Sequence, residues 1–327
     1  MFKNKRYPFI NLASKNELAK RIMGKKLPYP MALQLINDAI NNFDAYWYDS
    51  AHSDPKEEKF VRSAVGNSLG KLLKLIDRKV LAPYDVMVPD FIFGGLAGRN
   101  HIQAAYHLLG ERRGRTLLKL DIRRFFEQIQ EQRVFYFFNK KCGCSVKAAR
   151  LLARLCCVPV GPKGSSSTKK TLARGFATSA RLALWCNLDL FIRLEQKMKR
   201  KLYGYDPRIA IYVDDIGITA SRVETEDIKK FCSMIENLLV DFDSNQRLPI
   251  NPKKKEILLA KTGMEHLGLR LGRKLSIGGK TRSKRDRISE ALKWPLSKAD
   301  RDHLREKQRA YYSYQQYIKK QGITVNK

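Results

Sequence analysis

The chain has 327 residues, 43% of them hydrophobic, with 15 Phe, 14 Tyr and 3 Trp, enough apolar material for one large domain or two to three smaller ones and too much for a disordered tail. Its 64 Lys and Arg against 32 Asp and Glu leave a formal net charge of +32, an excess that a small neutral ligand does not call for and a polyanion does, because each neutralised phosphate releases counterions. An acidic membrane surface is the rival partner, but no run of 18 apolar residues is present to span a bilayer, and Met1-Phe2-Lys3-Asn4-Lys5-Arg6 leads into Tyr7-Pro8 rather than into the apolar stretch of a secretory signal; a soluble, cytoplasmic protein with no membrane association is expected.

Residues 1–80 are expected to be mostly helical. Ala32-Leu33, Leu35-Ile36 and Ala39-Ile40 recur at helical spacing, as do Leu69, Leu72-Leu73 and Ile76. Pro28 and Pro30 punctuate this stretch, and the charged segment 54–59 reads as a loop. Residues 81–110 turn often, at Pro83, Pro89, Gly94-Gly95 and Gly98. Residues 116–122 form the short apolar run of a buried strand, after which Phe125, Phe126 and Ile129 fall at helical spacing. A helix is expected over 145–157 and a flexible loop over 161–168. Another helix should start at Thr178-Ser179, both good caps, with Leu182, Trp185, Leu188 and Ile192 along one face.

Residues 208–213 and 216–220 read as strands flanking a tight turn at Asp214-Asp215, followed by a helix with Ile228, Phe231-Cys232, Ile235 and Leu238-Leu239 on one face. This order is that of an α+β sheet with helices packed on one side. Residues 271–327 carry 16 Lys and Arg against 5 Asp and Glu, a basic region expected to be helical from about Ser283 onward. The cysteines, Cys142, Cys144, Cys156, Cys157, Cys186 and Cys232, form no C-x-x-C pair and are expected to be reduced and mostly buried; a zinc site built from the first four is the weaker alternative.

Two adjacent aspartates in an apolar hairpin repel each other, and burial adds a desolvation penalty. A bound hard cation removes both effects, and Mg²⁺, which also coordinates substrate phosphates, is the natural one. Asp121 ends a separate apolar strand. If the two strands are neighbours, Asp121, Asp214 and Asp215 converge at one sheet edge. They can then hold two ions about 4 Å apart, suited to activating a hydroxyl and stabilising a leaving pyrophosphate. Taken singly, Asp214-Asp215 is an ordinary hairpin turn and Asp121 a helix cap.

Tyr212-Val213-Asp214-Asp215 resembles the Y-x-D-D box of reverse transcriptases, and Leu120-Asp121-Ile122-Arg123-Arg124-Phe125-Phe126 resembles their L-D-x-x-x-F-F motif. Gly175-Phe176-Ala177-Thr178-Ser179 is similar to their G-x-x-T-S, Asn251-Pro252-Lys253-Lys254 to N-x-x-K, and His266-Leu267-Gly268-Leu269 to the F-L-G box that supports the primer end. Order and spacing agree across roughly residues 90–272. Gly98-Arg99-Asn100 and Gln103-Ala104-Ala105-Tyr106-His107 are similar to the G-R-S and N-A-x-x-H boxes of bacterial retron-type and defence-associated enzymes. Arg174 stands where such relatives usually have Gln, Ala180 where they have Pro, and no V-T-G box is found.

The resemblance implies a right-hand polymerase: an amino-terminal region with helical fingers (1–114), an antiparallel-sheet palm (115–272, with finger elements around 140–175) and a small basic helical thumb (273–327). It implies an RNA-directed DNA polymerase that adds dNTPs to a primer 3′-hydroxyl by a two-metal mechanism, in a retron-like or anti-phage defence system. Asp121, Ile122, Asp214 and Asp215 would hold two Mg²⁺, with Mn²⁺ as a substitute. Phe126 would lie under the nucleotide sugar and exclude a 2′-hydroxyl, or pack in the core beside Phe125. Gly175 would let backbone approach the nascent base pair, or be a plain loop glycine. Arg174 would contact the nucleotide or remain solvated, and Lys254 would protonate the leaving pyrophosphate or act only by its charge. Lys59 and Arg62 lie where basic finger residues approach the triphosphate.

Tyr212, Leu267 and Gly268, with Arg282, Lys284 and Arg285 of the basic region, would contact nucleic acid. Tyr311, Tyr312, Tyr314 and Tyr317 either stack on bases or, for at least two of them, pack inward; His107 is expected to be structural. The implied partners are an RNA template (a structured non-coding RNA among the candidates), the DNA product and dNTPs, with a separate effector protein and an oligomer left open. Two alternatives stand: protein-primed or untemplated DNA synthesis by the same family, and a non-catalytic palm-like RNA-binding module, against which three retained aspartates argue.

Overall fold

A computed structural model describes residues 6–243 and 247–324. The signal-free reading of residues 1–5 and the last residues of the basic region fall outside that range. The amino-terminal third is helical where apolar spacing requires it. Lys15–Ile22, Tyr29–Asn41 and Ser68–Ile76 are helices, and the second buries Ala32, Leu35, Ile36 and Ala39 along one stripe. Segment 54–59 is a tight turn, Pro55–Glu57, closed by backbone bonds between Asp54 and Lys59. The helix Val146–Cys156 adds a further apolar face, capped by Ser145 Oγ accepting from the Ala148 amide at 3.1 Å.

Four antiparallel strands form the central sheet, in the order Arg208–Tyr212, Asp215–Ser221, Arg115–Asp121, Glu256–Leu259. Alternation along the strands divides the core in two. Leu118, Leu120, Ile209, Ile211, Ile216 and Ile218 face the larger cluster, which the amino-terminal helices and the helix Thr225–Asp241 complete. Leu117 and Ala210 face a smaller cluster on the other side, built from Phe93, Ile102, Leu108, Met264, Leu269, Leu271, Ile277 and Ile318. The expectation of helices on one side of the sheet is therefore corrected. The Asp121 strand is buried on both faces, so a second layer is needed, and the helix His101–His107 and a three-stranded sheet (Met264–His266, Leu269–Leu271, Leu275–Ile277) supply it.

Other local differences have identifiable causes. The strand pairs Tyr48–Asp49 with Arg62–Ser63, and Cys157–Pro159 with Lys170–Leu172, are too short to leave a period in the sequence; the loop 161–168 is the connection of the second pair. Thr178 and Ser179 do not cap by side chain. Thr178 Oγ1 turns inward to Cys156 Sγ (3.4 Å), and Ser179 Oγ donates to the Ala173 carbonyl (2.6 Å). That helix runs Ser179–Cys186, and a second begins at Leu188 because Asn187 breaks the register, its Nδ2 donating back to the Ala183 carbonyl at 2.8 Å. The turn of the central hairpin is Val213-Asp214, so Asp215 already belongs to its strand. The basic region is helical from Gly279 to Ala291 and again from Lys298 to Thr324. All six cysteines are free thiols, and five are buried. No helix among the described residues is long and apolar enough to cross a membrane.

Candidate active site

The site starts from a strained turn. Val213 has φ +61, a left-handed conformation that costs a β-branched residue about 1–2 kcal/mol. Two contacts hold it. The Ile122 amide donates to the Asp214 carbonyl at 2.9 Å. Gly94 packs so closely beneath that a Cβ there would lie 2.6 Å from both Val213 Cγ2 and Val213 N. Backbone bonds from Phe93 N to the Ile211 carbonyl (2.8 Å) and from Ile211 N to the Phe91 carbonyl (2.9 Å) fix the glycine segment along the hairpin edge.

Asp121 enters from the neighbouring strand. Its Cα is paired in register with that of Asp215, which is also paired with Tyr212. Its own carbonyl accepts from the Asn251 amide at 2.8 Å, which brings the 251–254 turn alongside. From that turn Lys254 Nζ reaches Asp121 Oδ1 at 2.7 Å, and Asn251 Nδ2 lies 3.4 Å from Oδ2. Asp121 is 6% exposed, and the bond to it raises the Lys254 pKa.

Asp214 and Asp215 form no ion pair among the described residues. Burial raises both pKa values, that of Asp215 to about 6, with the neighbouring Asp214 and Asp121 charges adding to the effect. Among the described residues no three His, Cys, Asp or Glu side chains are gathered tightly enough to make a ready-formed metal cluster; the Lys254 ammonium supplies the positive charge at Asp121. The donor set still fits a hard divalent cation: it is all carboxylate oxygen, partly buried, and two of its members are not ion-paired among the described residues. The hydrocarbon side chain of Ile122 has no donor atom and its amide is bonded to the Asp214 carbonyl, so its backbone carbonyl is the one group it can offer.

Beside the carboxylates, Arg174 grips Glu127 with two bonds of 3.1 Å, and its guanidinium carbon lies 4.9 Å from the centre of the Phe126 ring. Phe126 is 8% exposed and tilts against the fully buried Phe125. Gly175 has φ +100, and a Cβ there would lie 2.5 Å from the Arg62 carbonyl oxygen, so glycine is required by local packing whatever else it does.

Arg62 is held largely inside the fold. It is 4% exposed, pairs with Asp49, donates to the Gly161 carbonyl and lies over the rings of Trp47 and Phe60 at 5.1 and 5.2 Å. Burial lowers its pKa to about 10. These contacts make it an internal strut between the two short strand pairs.

The sequence profile described as reverse transcriptase (RNA-dependent DNA polymerase) matches residues 55–271, two-thirds of the chain, including all three aspartates. This chain belongs to the reverse transcriptase family. It is also similar to the Retron Ec48 reverse transcriptase of Escherichia coli, with 25% identity over 182 residues that cover 53% of this chain and 39% of that protein. The chain thus spans well under half the length of this relative.

In this reverse transcriptase the Leu267-Gly268 turn has positive φ at both residues, +52 and +75. It is anchored by His266, 2% exposed, whose ring packs on Gly217: a Cβ there would lie 2.7 Å from Nε2. Burial lowers the His266 pKa to about 4. Tyr212 is half-buried, with its ring 6.5 Å from His101, and His101 in turn stacks on Tyr314 and bonds its hydroxyl through Nε2 at 2.7 Å. Tyr311 and Tyr314 are half-buried, whereas Tyr312 and Tyr317 are exposed. His107 packs against Phe93. Arg282 and Arg285 are half-buried and Lys284 exposed on the helix Gly279–Ala291, Arg285 being paired with Asp286; this helix is not among the residues that meet at the carboxylates.

Four further residues shape the site and are not among those the sequence reading singles out for a role in it. Gly94 and Gly95 are legible there only as a turn, although a Cβ on Gly95 would lie 2.7 Å from Ala180 Cβ. Glu127 directly follows Phe126, and its adjacency to that motif is a usable signal. His101 has none, since both its partners are distant in sequence.

Proposed function

We propose that this reverse transcriptase is an active RNA-directed DNA polymerase that extends a primer 3′-hydroxyl with dNTPs. The observation that carries the reading is the in-register pairing of Asp121 with Asp215, with Asp214 on the adjoining turn. Residues 1–114 would then be the fingers and their amino-terminal extension, 115–272 the palm with finger elements around 140–175, and 273–327 a basic thumb. When bound by Asp121, Asp214, Asp215 and the Ile122 carbonyl, two Mg²⁺ ions (or Mn²⁺) would activate the attacking hydroxyl and neutralise charge on the leaving pyrophosphate.

The chain's own residues would do the positioning. Phe126, held under Arg174, offers a flat apolar floor to a deoxyribose and no room for a 2′-hydroxyl. Arg174 keeps a positive charge beside the nucleotide while Glu127 fixes its orientation. Lys254 lies close enough to the carboxylates to meet the pyrophosphate as it forms, as a charge or as a proton donor. Tyr212 and the Leu267-Gly268 turn would hold the primer end. The net charge of +32 supports a polyanionic partner, here an RNA template and its DNA product. Likeness to a retron enzyme supports a retron-like or anti-phage role with a structured RNA, and a separate effector chain is compatible with that setting.

The test is extension of a DNA primer annealed to RNA by the purified protein with dNTPs, with and without Mg²⁺. Metal-dependent extension that the Asp214→Asn protein lacks is the expected result. A folded wild-type protein that extends neither this substrate nor a primed DNA template would leave a non-catalytic RNA-binding module. Sequencing of copurified nucleic acid would identify the template.

A further inference from the structure

The two carboxy-terminal helices are built unlike the rest of the chain. Gly279–Ala291 has no buried residue, and among the described side chains of Lys298–Thr324 Ile318 alone is buried. The first helix, polar all round, gains little from packing and is suited to a polar partner, while the second packs on the smaller cluster only at its far end, through Tyr314 and Ile318. At the bend between them Leu292 ends the first helix, Pro295 forbids its continuation, and Ser297 caps the second through a 3.2 Å bond from the Asp300 amide.

In that bend stands Trp294. It is 66% exposed, while the other two tryptophans, Trp47 and Trp185, are 3% and 1% exposed. It borders a cavity of ≈ 480 Å³ that also meets Lys293, Pro295, Arg301, Arg305 and Gln308. Lys293 is partly neutralised by Glu290 at 2.8 Å. Arg301 and Arg305 form no ion pair among the described residues, and no carboxylate lines the cavity. Gln308 Nε2 donates to Ser289 Oγ at 3.1 Å and ties the two helices together beside it.

The geometry points to a binding site for an unpaired nucleotide of RNA at this bend: the Trp294 indole stacks on the base, and Arg301 and Arg305 hold the adjoining phosphates. The inference rests on the reading that the chain handles RNA, and deepens it by naming the form of RNA held here. An exposed aromatic face with flanking arginines is the pairing that single strands use. A continuous duplex keeps its bases stacked on one another and offers the indole no face. A membrane surface would need an exposed apolar helix stripe beside the tryptophan; the helix Gly279–Ala291 carries five Lys and Arg, and Tyr314 and Ile318 of the second helix are turned into the smaller cluster.

Because Trp47 and Trp185 are buried, the accessible tryptophan fluorescence of the whole protein reports on Trp294. Three probes are titrated into the full chain: a hairpin RNA with an unpaired loop, a blunt duplex RNA of equal length, and vesicles containing phosphatidylserine. Saturable quenching by the loop RNA, protection from acrylamide, and neither effect from duplex or vesicles is the expected result. Trp294→Ala should weaken loop-RNA affinity roughly tenfold or more, the loss of one base–aromatic stack, with Trp294→Phe recovering much of it. The salt slope of Trp294→Ala should match wild type, whereas Arg301→Gln with Arg305→Gln should lower it by roughly 0.7 for each phosphate no longer neutralised. Unchanged loop-RNA affinity in Trp294→Ala would overturn the site, as would equal quenching by duplex or by vesicles. Primer extension by the wild-type protein is read separately. No extension together with loop-specific quenching supports the site and removes the polymerase reading.

Discussion

Asp121 and Asp215 share one rung of the central sheet, each the terminal residue of its strand at the same end. A register slip of one residue would turn one of them to the opposite face. The Ile122–Asp214 bond and the Gly94 contact both act on that alignment. Asp214→Asn and Asp215→Asn should each reduce primer extension about a thousandfold or more, the scale of several kcal/mol of metal-assisted stabilisation. Their melting temperatures without metal should equal or exceed that of wild type, because a repelled charge is removed. Near-normal extension by either variant would refute the two-metal mechanism.

Lys254 Nζ lies 2.7 Å from Asp121 Oδ1, an oxygen that a bound cation would also use, so ammonium and metal would compete for it. In Lys254→Met the Mg²⁺ concentration needed for half-maximal thermal stabilisation should fall several-fold. Stability without metal should change by less than about 1 kcal/mol, since the lysine is largely exposed. A thermal-shift titration with MgCl₂ measures both, and an unchanged Mg²⁺ midpoint would mean that the lysine leaves without competing.

Phe126 lies between Phe125 and the Arg174 guanidinium. Phe126→Ala should raise the ratio of ribonucleotide to deoxynucleotide incorporation by about tenfold or more. A purely structural role would instead lower both rates together, leaving their ratio where it was. Single-nucleotide kinetics with dCTP and CTP on one primer separate these outcomes.

His266 makes the fold acid-sensitive. Its pKa is about 4 in the folded protein, against about 6.5 in an unfolded chain. The unfolded state therefore binds the extra proton between these values. The stability associated with neutral His266 is complete above about pH 6.5 and is lost as pH falls toward 4. Chemical denaturation at pH 7.5 and 5 should show a decline that the His266→Gln protein shows to a smaller degree. Identical slopes in the two proteins would assign the decline to other groups.

The sheet and its carboxylates are legible in the sequence because short-range chemistry specifies them. Leu117, Leu118, Leu120 and Ile122 make an apolar run broken only by Lys119 and Asp121, and isoleucines at 209, 211, 216 and 218 alternate on either side of the aspartates. The helix His101–His107 is hidden by its length and by glycines at 94, 95 and 98. What stabilises it is a capping box between Asn100 and Gln103 and burial beneath distant strands. The pairing of Arg62 is hidden for a similar reason: its partners Asp49, Trp47 and the Gly161 carbonyl meet it only across two separate hairpins. The break at Asn187 is equally hidden, since a single side-chain bond to Ala183 decides it.

The chain from Tyr212 through His101 to Tyr314 gives the last helix a mechanical character. At 1.5 Å per residue, the segment from Lys298 to Tyr314 is a rod of roughly 24 Å, resting at Tyr314 on His101 beside the hairpin that carries Asp214 and Asp215 and tied near its other end to the first helix by the Gln308–Ser289 bond. A load applied at the bend beside Trp294 would act with the leverage of the whole rod on the stacked rings of His101 and Tyr314, and through them on Tyr212, the residue before the Val213-Asp214 turn.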